Sequence, residues 1–447
     1  MLIRFVVSNF LSFGKECEFN MLTAPLKTHP DHVYYNPTKR LKVLKGAAIY
    51  GANGAGKSNL VKAINMLRSA VVSGHIRPDM SRFKYKLDDE ISERPIVFDV
   101  EYEWNKKFYA YHLEIQDDLV LEESLYELGF RQEDKILFER KYNAQTKKIN
   151  VVLRTGRGTD SKTKLLASIL ADNILDGTKL LLSSHNMLGS RKVTNAFQWF
   201  DVGLQIIFPS TVYHNIVRPL SLSGRFNAFA NNVMTSLDTG VVKVGVEEIP
   251  FDDFFTDADA QYKKELVAQL RERKADIPVL LKNGITLAAS INDSGNYVIK
   301  KPVTYHESSS RSNVVFDIEE ESDGTQRLLD IIPAIDMYLN FNVTVIVDEV
   351  DESLHPSLLK AIMHKIMNSG PAYGGQFIIT THESNLLDYD IYRQDEIWFV
   401  EKNNGSTELY PLTDFKPRAD LQLQKGYLMG RFGAVPFLAN LKDLNWQ

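Results

Sequence analysis

Gly51-Ala52-Asn53-Gly54-Ala55-Gly56-Lys57-Ser58 follows directly on an apolar run at 46–50. It leads into a segment with Leu60, Ile64, Leu67 and Val71 at helical spacing. Strand, glycine-rich loop and helix in that order form the setting in which Gly-x4-Gly-Lys-Ser cradles phosphate. The glycines let backbone N–H groups wrap around the phosphates without Cβ clashes, and the helix N-terminus adds a favourable dipole. In this pattern Lys57 is expected to reach the β- and γ-phosphates, and the Ser58 hydroxyl to ligate Mg²⁺. The alternative is a chance glycine-rich turn, and the context argues against it.

The second half of such a site is expected far downstream. The β-branched run at 343–347 ends in Asp348-Glu349. Acids at the C-terminal end of a buried parallel strand face the crevice where open α/β sheets bind ligands. Asp348 suits the Mg²⁺ shell, and Glu349 suits the base or positioner of an attacking water. The competing reading is two solvated acids after a strand.

Two further signals sort the class of phosphate site. Glu321-Ser322-Asp323-Gly324-Thr325-Gln326 precedes an apolar helical pattern of Leu328, Leu329, Ile331 and Ile332. A Ser-x-Gly turn opening a helix can cradle a second phosphate, although Ser, Asp and Gly are also ordinary helix caps. The apolar run at 377–381 ends at His382. A lone histidine there is usually structural. Beside an acid-bearing strand, a γ-phosphate contact is the expectation.

In this order and spacing the motifs resemble the head of an ABC-type ATPase, of the SMC/RecF branch. The resemblance implies a mixed central sheet with flanking helices and an N-terminal β subdomain, ATP and Mg²⁺ as ligands, and slow ATP hydrolysis. It also implies a homodimer, or a higher oligomer, in which the P-loop of one copy closes on the signature helix of a second. Carried onto this chain, Gly51, Asn53, Gly54, Gly56, Lys57, Ser58 and Asn59 hold the nucleotide, and Ser58 and Asp348 hold the metal. Ser322 and Gly324 touch the γ-phosphate of the opposite copy. Glu349, His382 and Lys57 are the catalytic set, with Asp351 in the stretch that crosses the dimer.

The departures are specific. The family's Leu-Ser-Gly-Gly-Gln signature reads Glu321-Ser322-Asp323-Gly324-Thr325 here. No glutamine stands at 96–103, where the Q-loop neighbourhood is expected, and Gln116 is a weak substitute. Sustained heptads are absent, so no long coiled-coil arm is expected.

Ser8-Asn9-Phe10-Leu11-Ser12-Phe13, the altered signature, Asp348-Glu349-Val350-Asp351-Glu352-Ser353-Leu354-His355-Pro356 and Gly430-Arg431-Phe432-Gly433-Ala434-Val435-Pro436 resemble one group more closely. It is the compact bacterial AAA-type ATPases related to the OLD family, including the AriA ATPases of PARIS systems. Many of these act in abortive infection and phage defence. That group implies a nucleotide-gated sensor or scaffold answering a phage-encoded trigger and controlling a separate effector such as a nuclease. The Gly430–Pro436 stretch itself reads as a tight turn with a packing Phe, or as an element facing a partner.

Composition bounds the rest. The 447 residues, 44% hydrophobic and 24% charged, allow two to three globular domains. Residues 1–115 and 315–447 are expected to form the two halves of the head. Residues 116–314 form an insert, first β and then mostly helical, that carries partner specificity. A net charge of −5 argues against a surface coated with basic groups for nucleic acid.

A RecF-like DNA-repair clamp is the alternative function. It would need a basic groove, with Lys39, Arg40 and Lys42 or Arg154, Arg157, Lys162 and Lys164 as candidates. These also read as solvated loop charges. Too little chain follows His382 for an appended Toprim nuclease domain. One cysteine, Cys17, makes neither an intramolecular disulfide nor a Cys-rich zinc site. No run approaches the ~18 apolar residues of a membrane span and no signal peptide is legible, so a cytoplasmic protein without a membrane partner is expected.

Overall fold

A computed structural model describes residues 1–36, 40–130, 133–154, 161–209, 216–237, 239–273, 275–281, 286–310, 312–371, 374–418 and 422–435. Two compact units divide the chain. One holds Met1–Ile207, Tyr338–Val350 and Lys360–Gln447; the other holds Phe208–Met337 and Asp351–Leu359. The expected insert at 116–314 thus contributes to both. Lys39, Arg157 and Pro436 lie outside the described residues.

In the first unit a six-stranded sheet runs Leu204–Ile207, Thr344–Val347, Gln376–Thr381, Gly46–Gly51, Ile397–Asn403, Ser406–Pro411. The first five strands are parallel and the last is antiparallel. The runs at 344–347, 376–381 and 46–51 are wholly buried, as strands covered on both faces must be. Their register aligns Val347 with Ile379 and Thr381 with Tyr50, so their C-terminal ends meet at one edge. That edge is the ligand side of an open α/β sheet.

The helix Lys57–Ser73 follows the glycine loop and buries Leu60, Ile64, Leu67 and Val71, the positions its spacing predicts. A seven-stranded antiparallel sheet completes this unit, in the order Lys148–Leu153, Lys135–Asn143, Leu119–Glu127, Lys107–Gln116, Ile96–Trp104, Leu2–Ser8, Cys17–Asn20. It contains the hairpins Leu2–Ser8 with Cys17–Asn20 and Ile96–Trp104 with Lys107–Gln116.

The second unit is built on a five-stranded sheet. Tyr297–Glu307 pairs Val241–Pro250, Thr286–Ile291 and Asn313–Asp317, and Thr286–Ile291 also pairs Ile277–Leu280. The helix Ala260–Arg273 seats Leu266 and Leu270 on Ile277, Val279, Leu287, Ala289 and Ile299. The helix Gly224–Ser236 is capped by Ser223, and its Asn231 exchanges hydrogen bonds with the backbone of Val244. The stretch expected to be mostly helical therefore also contains Leu204–Ile207 and the ten-residue strand Val241–Pro250. Glu307 pairs with Asn313, so Tyr297–Glu307 and Asn313–Asp317 are antiparallel neighbours. No described helix is long and apolar enough to cross a membrane.

Candidate functional site

The glycine loop is shaped before any ligand arrives. Gly54 and Gly56 have φ of +74° and +121°, values an L side chain adopts only at a cost. A Cβ at Gly56 would stand 2.3 Å from Thr407 Oγ1, and one at Gly51 would stand 2.5 Å from Val400 O. Backbone therefore packs where side chains would otherwise project.

Behind the loop, Thr407 Oγ1 lies 2.8 Å from Ala55 O and 2.7 Å from Ser12 Oγ. Asn59 Nδ2 donates to the same Ser12 hydroxyl at 2.7 Å, and the Thr407 N–H donates to Ser12 O. Asn59 thus braces the loop from behind.

Lys57 is 4% exposed. Its Nζ donates to Gly51 O at 2.8 Å and stands 3.0 Å from His382 Nε2. A buried ammonium on carbonyl and imidazole partners is a cation held ready for an anion. Ser58 Oγ donates to Glu349 Oε1 at 3.3 Å, and hydrogen bonding to Ser58 also favours the Asp348 carboxylate.

Burial nonetheless pushes the Asp348 carboxyl above its ordinary range, opposed by the hydrogen bond from Thr380. Thr380 joins the acids. Its hydroxyl donates to Asp348 Oδ1 at 2.5 Å and accepts the Glu349 N–H at 2.8 Å. Glu349 takes φ of +48°, a left-handed backbone that is uncommon away from glycine. Lys57, Ser58, Asp348, Glu349 and His382 are brought together in one unit.

Ser322 and Gly324 belong to the second unit. Ser322 is exposed at the start of the helix Asp323–Asn340, and its hydroxyl accepts the Thr325 N–H at 3.2 Å. A Cβ at Gly324 would meet Ser353 O at 2.9 Å, and Ser353 itself has φ of +61°. Asp351 opens the segment that ends in that turn, its carbonyl accepting the Leu354 N–H. The glycine in Ser-x-Gly is thus a close approach between two backbone segments.

Other candidates have plainer places. The Gln116 amide donates to Glu93 O at 3.1 Å. Arg40, Lys42, Arg154, Lys162 and Lys164 are exposed. Phe432 stacks on Phe399 at 5.6 Å, and the Ala434 N–H donates to Glu401. Among the described residues no cluster of His, Cys, Asp and Glu suits a metal held by protein alone. Ser58 and Asp348 do fit Mg²⁺ in its usual nucleotide setting, where one or two oxygen side chains join phosphate and water.

Sequence reasoning missed Thr380, Thr407 and Ser12. The first stands inside a quoted apolar run and the last inside a quoted motif, and only the spatial partners reveal what each hydroxyl does.

A P-loop with an Asp-Glu strand one strand away, separated by the strand that ends in histidine, is the arrangement of a P-loop ATPase. The chain belongs to the family described as "AAA domain, putative AbiEii toxin, Type IV TA system", whose model matches residues 47–155 and 208–388, well over half its length. No curated protein matches the chain.

Similar solved structures include the SMC head bound to the C-winged helix domain of ScpA. It shares 13% identity and a TM-score of 0.47, over 92% of this chain and 97% of that one. The SMC head domain from Thermotoga maritima gives 13% and 0.38, over 92% and 98%. The Smc head with an extended coiled coil from Pyrococcus furiosus gives 12% and 0.41, over 96% and 98%.

Proposed function

We propose that this chain binds and slowly hydrolyses Mg²⁺-ATP as a cytoplasmic switch whose closed state joins two copies, and that the switch controls a separate effector protein in anti-phage defence. The observation that carries the reading is the convergence of Lys57, Ser58, Asp348, Glu349 and His382 at the C-terminal ends of three aligned parallel strands.

Mg²⁺, when bound, would neutralise charge on the phosphates. Ser58 and Asp348 hold it. The backbone N–H groups of 51–57 cradle the phosphates, and Lys57 exchanges its carbonyl partners for phosphate oxygens. Glu349 orients and deprotonates the attacking water. His382, 3.0 Å from the lysine ammonium, faces the same terminal phosphate. Ser322 and Gly324 complete the site of a second copy with a hydroxyl and a helix N-terminus. Two sites, each finished by the other copy, make closure depend on ATP, since a ligand shifts an equilibrium only by its differential affinity.

The family's description supports placement among toxin and abortive-infection ATPases. The test is tagged Glu349→Gln protein recovered from its host with ATP, its complexes weighed and co-eluting molecules identified. A stoichiometric nuclease or toxin supports the switch. Duplex DNA without a protein partner would replace it with a RecF-like clamp.

A further inference from the structure

The residue before the signature serine departs from the ABC-type Leu-Ser-Gly-Gly-Gln pattern, and the second unit supplies a reason. Glu321 stands where the resemblance puts leucine. Its side chain is only 6% exposed. One carboxylate oxygen, Oε1, takes two hydrogen bonds from the central strand Tyr297–Glu307: from the fully buried Thr304 hydroxyl, and from His306 Nε2 at 2.6 Å. A carboxylate accepts, so the His306 proton in this contact sits on Nε2.

The backbone of Glu321 is fixed as well. Its N–H donates to Ile318 O at 3.2 Å, and its carbonyl accepts from Gln326 Nε2 at 2.9 Å. Ser322, one residue on, is exposed. The exposed serine and the first turn of its helix are therefore located by a buried carboxylate tied to the middle of a five-stranded sheet.

We propose that Thr304 and His306 are positioning residues for the signature segment. Through Glu321 they set where the Ser322 hydroxyl and Gly324 stand toward the γ-phosphate of ATP held by a second copy. This rests on the composite-site reading above. It gives the sheet at 241–317 a role in that site: whatever displaces Tyr297–Glu307 displaces the signature. Leucine could not form this link, because it has no acceptor for the two donors, and a buried donor left unpaired is costly.

The test uses the full chain and measures, for each variant, binding of a fluorescent ATP analogue, kcat at saturating ATP and thermal unfolding. Glu321→Leu is expected to lower kcat about tenfold while nucleotide Kd at the P-loop stays within about twofold. Glu321→Gln still offers an oxygen to Thr304 and His306 and is expected to keep most of the rate. Thr304→Val added to Glu321→Leu is expected to recover part of the loss, because an apolar pair replaces a broken polar one.

Should Glu321→Leu fail to fold, the shape-conserving Thr304→Val carries the same comparison, and a fall in kcat at unchanged Kd supports the anchor. Turnover within twofold of wild type in Glu321→Leu and Thr304→Val, with Ser322→Arg inactive, overturns the anchor and leaves the composite site standing. Wild-type turnover in Ser322→Arg overturns both. A parallel loss of Kd, kcat and thermal stability in every variant reduces Glu321 to packing and also overturns the proposal.

Discussion

Thr380 Oγ1 donates to Asp348 Oδ1 at 2.5 Å, and the same oxygen accepts the backbone N–H of the next acid, Glu349, at 2.8 Å. One fully buried hydroxyl from the neighbouring strand thus holds the Asp348 carboxylate and the Glu349 backbone, at the left-handed turn. Thr380→Val keeps the shape and removes the link. It is expected to lower kcat about tenfold or more, since an unpaired buried acceptor costs ~1–3 kcal/mol. Thr380→Ser should restore most of the rate. Steady-state ATP turnover checks this, and a valine variant at wild-type kcat would show that the acids hold themselves.

Lys57→Ala removes the buried ammonium that bridges Gly51 O and His382. A hydrogen bond to a charged group contributes ~1.5–3 kcal/mol, so ATP affinity should fall about 10- to 100-fold. Calorimetric titration with ATP measures it. Unchanged affinity would remove the glycine loop from nucleotide binding.

Gly56→Ala meets two obstacles at once, the φ of +121° and a Cβ 2.3 Å from Thr407 Oγ1. A residue forced into such a conformation costs of order 1–3 kcal/mol. The variant should unfold at lower denaturant concentration and bind ATP weakly. Thr407→Ala in the same chain relieves the clash but not the dihedral, so only partial recovery is expected from equilibrium unfolding.

Much of this site was legible because its parts are local. The glycine loop, the apolar runs and the acids that end one of them each lie within a few residues, and the buried parallel strands read as short apolar runs. What escaped depends on distance along the chain. Thr407 and Ser12 are 395 residues apart, and Thr380 is 32 from Asp348; no local pattern announces either pairing. Val241–Pro250 escaped for a different reason. Lys243, Glu247 and Glu248 are exposed, and the strand interrupts a mainly helical neighbourhood. Glu321 was visible as a departure from the Leu-Ser-Gly-Gly-Gln pattern, but its partners Thr304 and His306 lie 17 and 15 residues upstream, and no local pattern announces that link.

The raised pKa of Asp348 has a pH consequence. Burial favours the protonated acid in the folded protein. Its contribution to stability is therefore present below the unfolded-state pKa and lost as pH rises through the higher folded value. Without ligand, the unfolding temperature should fall with pH across that window, and Asp348→Asn should flatten the slope and raise the neutral-pH Tm by a few degrees. Mg²⁺-ATP should stabilise wild type and fail to stabilise the variant. Scanning calorimetry between about pH 4 and 8, with and without Mg²⁺-ATP, reads both effects. An unchanged slope in the variant would show that the carboxylate is solvated well enough to ionise freely.

Composite sites make an arithmetic prediction. Lys57→Ala removes phosphate binding and Ser322→Arg fills the place of the signature hydroxyl, so each alone should be inactive. In a symmetric dimer both lesions occur twice, and no intact site remains. Mixed in equal amounts with free exchange, half of the dimers are heterodimers. In each of these the P-loop of the Ser322→Arg copy faces the unaltered signature of the Lys57→Ala copy. One of two sites is whole, and turnover should recover to about a quarter of the wild-type rate. Recovery should appear on mixing and scale with heterodimer abundance by native mass measurement. If Ser322→Arg alone is inactive and heterodimers form without any recovery, the serine acts on the nucleotide of its own copy, and the closed dimer is no longer the unit of hydrolysis.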